Sequence, residues 1–468
     1  MKTSPFEEPT HKYQPFDLQD ISAFEEQEQP TPPTIVLKVI RLNQNISTSN
    51  FYCCILHSFF MIFGAALTHS LQPLILLDKN YYNIPAGETG KIMSLILVVM
   101  LIVKLLVSIP YGHMTDKFGR KIMIRYAAIN YLFSCLLVPL QTTVFPGLVL
   151  AKILLANSMS AFHSVPLIAD YIADESKGKA SGILASLAGI ASIIANIILQ
   201  IFLKSGISLG NCYLGAGIFT FLAVMINSFG LKGGHYYIDK KEDKQEISIN
   251  SFSNNMKEAI LVFKSNGWLL IALVLQITGG SDFFIFFSFT ALYVKSLYQN
   301  KETDDLSSKI FDKESNIQVS NLNILVTISA FICNILYAYL LDKKKTIISV
   351  IYIALAGSAL SFILISLSYY PEDWLLIIGT SLFGATVPGL FLITGYLNIK
   401  NFPLEKRGIM MSVSGFIGNI AHFIMATLGG FLFDNWRKDG PFLVCTFLLV
   451  VAMILVTKIY YSKIQPNN

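Results

Sequence analysis

The stretch Gly112-His113-Met114-Thr115-Asp116-Lys117-Phe118-Gly119-Arg120-Lys121 lies between two apolar runs, residues 92–111 and 122–140. Each run is long enough to cross a bilayer as an α-helix, which takes about 20 mostly apolar residues. The stretch itself is basic, contains two glycines and one carboxylate, and is expected to stay in water as a hairpin loop. Its two flanks must then run antiparallel through lipid, so the pattern indicates a multi-pass membrane protein.

The composition of the whole chain agrees with this interpretation. Apolar residues make up 53% of the 468 residues and charged residues 14%, whereas soluble domains carry about 25% charged residues. The mean hydropathy is +0.56. The sequence predicts about twelve membrane-spanning helices. They start near Phe51, Ile92, Ile122, Val144, Ser181, Ser208, Gly267, Val319, Thr346, Asp373, Gly408 and Pro441.

The distribution of Lys and Arg predicts the orientation of the chain. These residues are about twice as frequent in the connections on the side of the two termini as in the opposite connections, which predicts that both termini are cytoplasmic. The net charge of +5 follows from this bias, so no nucleic-acid partner is expected. The first 30 residues are acidic and interrupted by prolines, unlike a signal peptide. Residues 1–50 are interpreted as a disordered cytoplasmic tail.

An internal repeat divides the rest of the chain. Asp342, which precedes three lysines, corresponds to Asp116, and Arg407 corresponds to Lys179, at offsets of roughly 226 and 228 residues (342 minus 116 and 407 minus 179). Two signals at nearly one offset predict two six-helix halves, residues 51–232 and 258–462. A charged cytoplasmic linker, residues 233–257, would join them, and residues 463–468 would form a short cytoplasmic tail.

Three motifs resemble those of one transporter family. Residues 112–121 fit the pattern G-x-x-x-D-[RK]-x-G-R-[RK] at every fixed position and resemble the loop between helices two and three of the major facilitator superfamily. Residues 151–156 resemble its fourth-helix motif, with Lys152 replacing the usual Arg, and residues 429–434 resemble its turn between helices eleven and twelve. The resemblance covers nearly the whole chain after the tail. It implies an all-α membrane fold of twelve helices in two pseudo-symmetric halves.

The same resemblance implies a cytoplasmic gate. Asp116 would accept hydrogen bonds from the amide end of a neighbouring helix and pair with Arg120, and Asp170 lies near the position of a second acidic partner. Such charges would latch the two halves together when the protein opens outward. Alternatively, the basic residues only fix the topology and bind anionic head groups. The residues assigned to the gate are Gly112, Asp116, Lys117, Gly119, Arg120, Lys121, Asp170, Asp342 and Arg407.

Ionisable and polar side chains near the bilayer centre are candidates for a substrate or proton cavity, because they are costly there. Asp282 follows Gly279 and Gly280, which would allow the seventh helix to break and expose carbonyl groups. It would carry protons or pair with Lys104, which could instead anchor a substrate carboxylate. The candidate cavity residues are Asp282, Lys104, His69, Gln72, His163, His422 and Asn419. Packing within the bundle is the alternative for each histidine and amide, and Lys152 is expected to be structural or coupling-related.

The predicted function is secondary active transport of a small organic solute by alternating access, with the proton as the coupling ion. The alternatives are a gradient-driven facilitative uniporter and a transporter-like receptor or scaffold that has lost transport. The chain contains no phosphate-binding loop and no hydrolase or metal motif, so neither an enzyme nor a bound cofactor or metal is expected. Gly64 lacks a second glycine four residues on, and a monomer is expected. The plasma membrane and organelle membranes are both compatible with the sequence.

Overall fold

Helices account for most of the chain in a computed structural model. It describes residues 34–37, 40–43, 46–78, 80–82, 84–85, 87–118, 120–163, 171–173, 176–232, 257, 260–299, 308–341, 347–402 and 407–465. The twelve long helices in these ranges are α1 Thr48–Leu77, α2 Thr89–Phe118, α3 Arg120–Leu137, α4 Val149–His163, α5 Lys177–Lys204, α6 Leu209–Met225, α7 Gly267–Gln299, α8 Ser308–Leu341, α9 Ile347–Ser366, α10 Trp374–Asn401, α11 Arg407–Asn435 and α12 Gly440–Ile459.

Eleven of these helices are long and apolar enough to cross a membrane, and the fourth segment is a shorter apolar helix, Val144–Met159. Helices are the expected solution because lipid offers no hydrogen-bond partner to backbone amides and carbonyls, so each segment must satisfy its own. The predicted twelve-helix membrane fold is confirmed.

Two helix boundaries differ from the prediction. Helix α2 continues to Phe118 and α3 begins at Arg120, so most of residues 112–121 is helical rather than a hairpin loop. Helix α8 begins at Ser308 and not near Val319. In both cases polar residues extend a spanning helix past the apolar stretch. Hydropathy locates the part of a helix that lies in lipid. The helical backbone hydrogen bonds can continue into water as long as no residue interrupts them.

The helices pack as two halves, α1–α6 and α7–α12. Within the first half α1 packs on α5 and α6, and α3 packs on α4; within the second, α10 packs on α8 and α9. Between the halves α2 packs on α11, α5 on α8, and α1 on α7. Helices six places apart correspond to each other, so that α2 corresponds to α8 and α5 to α11. The α2–α11 and α5–α8 contacts are therefore equivalent, which is the pseudo-two-fold symmetry that the internal repeat predicts.

Successive spanning helices alternate in direction, which gives the molecule two faces. We call the face at which α1 and α7 begin the terminal face, and the opposite one the distal face. The C-terminal ends of α1, α5 and α11 and the N-terminal ends of α2 and α8 lie at the distal face.

Residues 34–37, 40–43 and 46 form a strap at the terminal face. Strands β1 (Ile35–Val36) and β2 (Ile40–Arg41) pair antiparallel, with Val36 opposite Ile40. Leu42 then forms an antiparallel bridge to Ile172, beyond α4. The backbone amide of Asn43 donates to the Tyr171 carbonyl (2.9 Å) and that of Ala173 to the Arg41 carbonyl (3.0 Å).

The interpretation of residues 1–50 as a disordered tail does not extend to the strap, and residues 1–33 lie outside the described part of the chain. The apolar side chains of Val36, Ile40, Leu42 and Ile46 are buried in one cluster with Phe51, Tyr171 and residues of α2 and α3. Burial of apolar surface provides the free energy that orders this segment. The acidic, proline-rich composition on which the prediction rested is that of the first 30 residues and does not extend to the strap.

The strap is expected to contribute to stability. Ile40→Ala should lower the melting temperature of the detergent-purified protein, because the side chain is 0% exposed and a buried isoleucine-to-alanine change costs about 2–5 kcal/mol. Ile35→Ala, in the same hairpin but at a side chain 55% exposed, is the matched control. Equal melting temperatures for the two variants would show that the strap does not stabilise the fold.

Candidate functional site between the two halves

The interface between the halves is built on one face of α7. Gly280, Phe283, Phe284 and Phe287 follow the i, i+3, i+4, i+7 spacing of a single helix face. The ring of His69 on α1 lies 6.3 Å from the Phe283 ring and 6.5 Å from the Phe287 ring, centroid to centroid. The Lys104 ammonium nitrogen on α2 lies 5.2 Å from the centroid of the Phe284 ring. This face of α7 therefore turns toward the first half.

The phenylalanine run of α7, residues 283–287, packs against other helices of the protein. Phe286 is buried and stacks on Phe383 of α10 at 3.8 Å, centroid to centroid. Phe283 contacts Phe391 of the same helix edge to face at 5.9 Å. The aromatic face of α7 thus offers flat apolar surface to the space between the halves.

Gly280 allows the close approach of His422 and does not interrupt the helix. Helix α7 is continuous from Gly267 to Gln299, which corrects the expectation that Gly279 and Gly280 would interrupt it. A Cβ atom on Gly280 would lie 2.0 Å from Nε2 of His422 and 2.3 Å from its Cε1. The ring of this α11 residue also lies 5.1 Å from the Phe284 ring. The missing side chain lets the imidazole contact the α7 backbone directly.

Asp282 lies on another face of α7. It is two residues from Gly280, about 200° around the helix, and its side chain lies beside the Cys445 thiol of α12. It is 0% exposed, and among the described residues only the Cys445 thiol, a weak donor, is close enough to interact with the carboxyl oxygens. The structure gives it no ion pair with Lys104, although both residues are described. Asp282 is therefore separated from the other candidate cavity residues and buried inside the second half.

Gln72 and Lys152 bind each other inside the first half. The Lys152 ammonium donates to Gln72 Oε1 at 2.9 Å, and Gln72 Nε2 donates to the sulfur of Met93 at 3.6 Å. Lys152 is 1% exposed and lies 5.6 Å from the centroid of the Tyr213 ring. Of the two roles predicted for Lys152, these contacts favour the structural one, since the ammonium joins α1, α4 and α6 away from α7.

A buried polar network crosses between the halves beside α7. Ser70 on α1 donates to Asn196 Oδ1 on α5 (2.8 Å), and Asn323 Nδ2 on α8 donates to Ser70 Oγ (3.0 Å). Ser320 Oγ donates to the Asn196 carbonyl at 3.2 Å. One helical turn further toward the distal face, Gln200 donates to Asn321. Neutral amide and hydroxyl groups of both halves therefore meet in the bilayer.

A cavity of about 10 Å³, room for roughly one water molecule, adjoins this network. Its polar wall consists of Ser70, Asn323 and Thr290, and its apolar wall includes Phe286 and Phe287. The Thr290 hydroxyl has no hydrogen-bond partner among the described residues. The cavity thus combines neutral hydrogen-bonding groups with aromatic rings.

A second contact between the halves caps α2 at the distal face. Asp434 near the end of α11 accepts hydrogen bonds from the backbone amides of Gly90 (3.0 Å) and Lys91 (2.6 Å). A carboxylate at a helix N-terminus satisfies unpaired amides and interacts favourably with the helix dipole. Ser94 Oγ also donates to the Ala426 carbonyl at 2.5 Å.

The polar network around Ser70 and the cap of α2 by Asp434 both lie toward the distal face. Among hydrogen bonds whose two partners are both described, all those that join the halves lie in the distal half of the bilayer: the Ser70–Asn196–Asn323–Ser320 network, the Gln200–Asn321 pair, and the bonds of Asp434 and Ser94.

The remaining predicted residues are only partly described. Gly112, Asp116 and Lys117 lie in the last turns of α2, and Arg407 and His163 are terminal residues of α11 and α4, but their side chains are outside the described part, as are Gly119, Asp170 and Asp342 altogether. Arg120 begins α3, and Lys121 donates to the Leu231 carbonyl. Asn419 is half-buried on α11, one turn before His422. No group of three or more His, Cys, Asp or Glu in the described residues could hold a metal ion.

Sequence reasoning missed Ser70, Asn323 and Asp434 as contacts between the halves. Asn321 and Asn323 are polar residues in an otherwise apolar stretch, and this signal could have found them. Ser70 is one of many serines in apolar helices, where the hydroxyl usually bonds to its own backbone. No feature of the sequence distinguishes it.

The chain matches a known protein family. Residues 46–368 and 306–467 match the family profile described as Major Facilitator Superfamily. The chain is 22% identical over 411 residues to "Glucose transporter GlcP" of Staphylococcus epidermidis, a match that covers 80% of this chain and 86% of that protein. A shorter match of 95 residues, 27% identical, links 20% of this chain to 22% of "Magnetosome protein MamH" of Paramagnetospirillum magneticum.

The fold is also that of solved structures. Two crystal structures of the nucleoside transporter NupG, one of them a mutant, match 88% of this chain with TM-scores of 0.63 and 0.61. They cover 100% and 99% of the NupG chains at 14% and 13% sequence identity. Likeness at this level of identity shows a shared fold.

Proposed function

Because the chain belongs to the Major Facilitator Superfamily, we propose that it is a secondary transporter that carries a small polyhydroxylated solute, a sugar or a nucleoside, by alternating access. The observation that carries the proposal is the set of side chains that the two halves bring together, in which the polar groups of Ser70, Asn323 and Thr290 meet the rings of Phe286 and Phe287. The cavity among them has room for about one water molecule in this state, so the halves must separate there to admit a solute. The similarity to a glucose transporter and the fold shared with a nucleoside transporter support the same solute class.

The chemistry of the cavity suits such a solute. The hydroxyl groups of such a solute both donate and accept hydrogen bonds. The neutral side chains of serine, threonine and asparagine can likewise act as donor or acceptor without carrying a charge. The C–H faces of a sugar, or the flat base of a nucleoside, pack on aromatic rings. Ligand sites typically combine a mostly apolar lining with a few placed polar groups.

Alternating access would operate through the contacts between the halves. With the terminal face in the cytoplasm, as the distribution of basic residues predicts, the bonds of Asp434 and the Ser70–Asn323 network hold the outer side closed. Opening that side must break them. A bound solute can replace the partners that Ser70 and Asn323 lose, so that binding and opening favour each other. In this scheme the gate predicted around Asp116, Arg120 and Asp170 would close the terminal face in the opposite state.

Proton coupling is a separate part of the proposal. Asp282 supports it as a carboxyl group buried in the bilayer beside the Cys445 thiol, with no ion pair among the described residues. It lies away from the cavity, so a proton there would act through the packing of α7 on α12. Uptake that responds to an imposed pH gradient in the wild type but not in Asp282→Asn is the expected result, and uptake indifferent to the gradient would favour the uniporter.

The proposed function is tested by counterflow of labelled glucose and uridine into proteoliposomes. Wild-type protein should exchange at least one of them. Asn323→Ala should slow exchange about tenfold or more, since it removes a hydrogen bond between the halves and one of the polar groups that would bind the solute. Asn435→Ala is the control, because that amide is exposed and bonds only within α11. Normal exchange by Asn323→Ala would argue against the cavity as the transport site, and no exchange of either solute by the wild type would argue against this solute class.

A further inference from the structure

We propose that Lys104 and His422, which lie on opposite halves and share the ring of Phe284, form a subsite for an anionic group, a carboxylate or phosphate, on the transported solute. This inference deepens the proposed function and rests on it. It narrows the solute class from neutral sugars and nucleosides to their charged derivatives, sugar acids or phosphate esters.

The first observation is the state of the Lys104 ammonium group. It lies 5.2 Å from the centroid of the Phe284 ring, and the described residues give it neither a hydrogen-bond acceptor nor an ion pair. An ammonium group has three donors and no acceptor, and a charge within the bilayer is rarely left without a partner. The nearby carboxyl group of α7, Asp282, lies on another face of the helix. A cation–π contact offsets only part of the cost of dehydrating the charge.

The second observation is the imidazole of His422. The side chain is buried, with the residue 7% exposed, and neither ring nitrogen has a hydrogen-bond partner among the described residues. The Gln276 carbonyl lies near the ring but does not complete a hydrogen bond. The Gln276 side chain is engaged as well, because its Oε1 accepts from Ser414 Oγ at 2.5 Å. The imidazole therefore has hydrogen-bonding capacity that the described residues leave unused, and a ligand reaches it once α11 moves off the α7 backbone at Gly280.

The third observation is that both groups are held at the same ring. The His422 ring centroid lies 5.1 Å from that of Phe284, and the recess at Gly280 fixes its position against α7. Lys104 belongs to α2 and His422 to α11, the two helices that Asp434 and Ser94 join nearer the distal face. An anion bound between them would bridge the halves at a second point.

The two subsites lie on adjoining parts of the same α7 face. Phe284 turns toward α2 and α11, whereas Phe287 and Thr290 line the cavity toward α1 and α8. A solute with hydroxyl groups at one end and an anionic group at the other would contact both. Apolar surroundings strengthen the attraction between an ammonium group and an anion, so the charged solute should be strongly preferred.

Binding to the purified full-length protein tests the inference with matched neutral and charged probes. The sets are D-glucose with D-glucuronate and glucose 6-phosphate, and uridine with uridine monophosphate, measured by thermal shift and by counterflow in proteoliposomes. A charged member should bind at least about tenfold more tightly than its neutral counterpart. The carboxylate and phosphate members show which anion the subsite takes.

Variants assign the effect to the subsite. Lys104→Gln should remove the preference while the neutral member still binds, and Lys104→Arg should keep it. His422→Gln should weaken it. Lys438→Gln is the matched control, because Lys438 makes the same kind of contact with the Phe433 ring at 4.5 Å, but at the end of α11.

Three results would overturn the inference. Neutral members that bind the wild type as well as the charged ones would remove the anion subsite and leave the proposed function intact. Loss of charged and neutral binding together in Lys104→Gln, unrepaired by Lys104→Arg, would show that the lysine only supports packing. No binding of any probe would overturn both the inference and the proposed solute class.

Discussion

Gly430→Val is expected to abolish transport while the protein still folds. Gly430 on α11 packs against α2 of the other half, and a Cβ atom there would lie 1.8 Å from Ser94 Oγ and 2.5 Å from the Gly90 carbonyl oxygen. To accommodate the valine side chain, α2 and α11 would have to move apart at the distal face. The shift would also break the bonds from Gly90 and Lys91 to Asp434.

The size of the effect of Gly430→Val on the closed state follows from two energetic costs, overpacking and lost hydrogen bonds. Overpacking costs about 1–3 kcal/mol, and the loss of hydrogen bonds to a carboxylate costs about 1.5–3 kcal/mol. A difference of about 3 kcal/mol or more between the two states shifts their populations by more than about a hundredfold. The variant should therefore stay open at the distal face. Each half keeps its own packing, so the fold itself should tolerate the change.

Transport and accessibility measurements check this expectation together. Counterflow should fall to background, and a cysteine introduced as Ala291→Cys in the cavity between the halves should react with a membrane-impermeant maleimide added at the distal face. Gly415→Val on the same helix is the control, because nothing described lies within 4 Å of a Cβ atom at that glycine. Normal exchange by Gly430→Val, or an equal loss in Gly415→Val, would contradict the role assigned to this contact.

The second large effect is expected at Gly384, which holds α10 against α8 within the second half. A Cβ atom there would lie 2.2 Å from the Val326 carbonyl oxygen and 2.7 Å from the Val326 Cα. These are backbone atoms and cannot rotate away as a side chain would. Close approach of helix backbones at small residues is a main source of helix association in membranes. Gly384→Ala should therefore destabilise the protein by about 3 kcal/mol, the upper end of the cost of overpacking.

A glycine on the same helix should respond in the opposite direction. A Cβ atom on Gly395 of α10 meets no described atom within 4 Å, and alanine is favoured over glycine in a helix by about 1 kcal/mol. Gly395→Ala should therefore raise the melting temperature in detergent, whereas Gly384→Ala should lower it and reduce the yield of folded protein. If Gly384→Ala melts with the wild type, the backbone contact between α10 and α8 does not stabilise the fold.

The candidate site could be predicted only in part. Lys104, His69 and His422 were identified as unusual polar residues within apolar helices, and the structure places all three against the aromatic face of α7. Asp282 was identified by the same reasoning, yet it faces α12. The cost of a polar group in lipid shows that a residue needs a partner, but it does not show on which side that partner lies.

The sequence by itself determined the membrane fold, the number of helices and their division into two halves. Apolar stretches long enough to cross lipid must be helical, because only a helix satisfies its own backbone there. The repeat of Asp116 at Asp342 reflects the symmetry between the halves. These properties follow from order along the chain and from hydropathy, which are both local.

Only the tertiary structure decided which face of each helix meets which neighbour. In a soluble helix the apolar stripe marks the buried side, whereas a helix such as α7 is apolar all round, because lipid and protein interior are equally apolar. Hydropathy therefore cannot distinguish the side of Phe284, which meets Lys104 and His422, from the side of Asp282, which meets Cys445. That choice depends on close packing at positions such as Gly280 and Gly430, where a missing side chain admits a neighbouring helix.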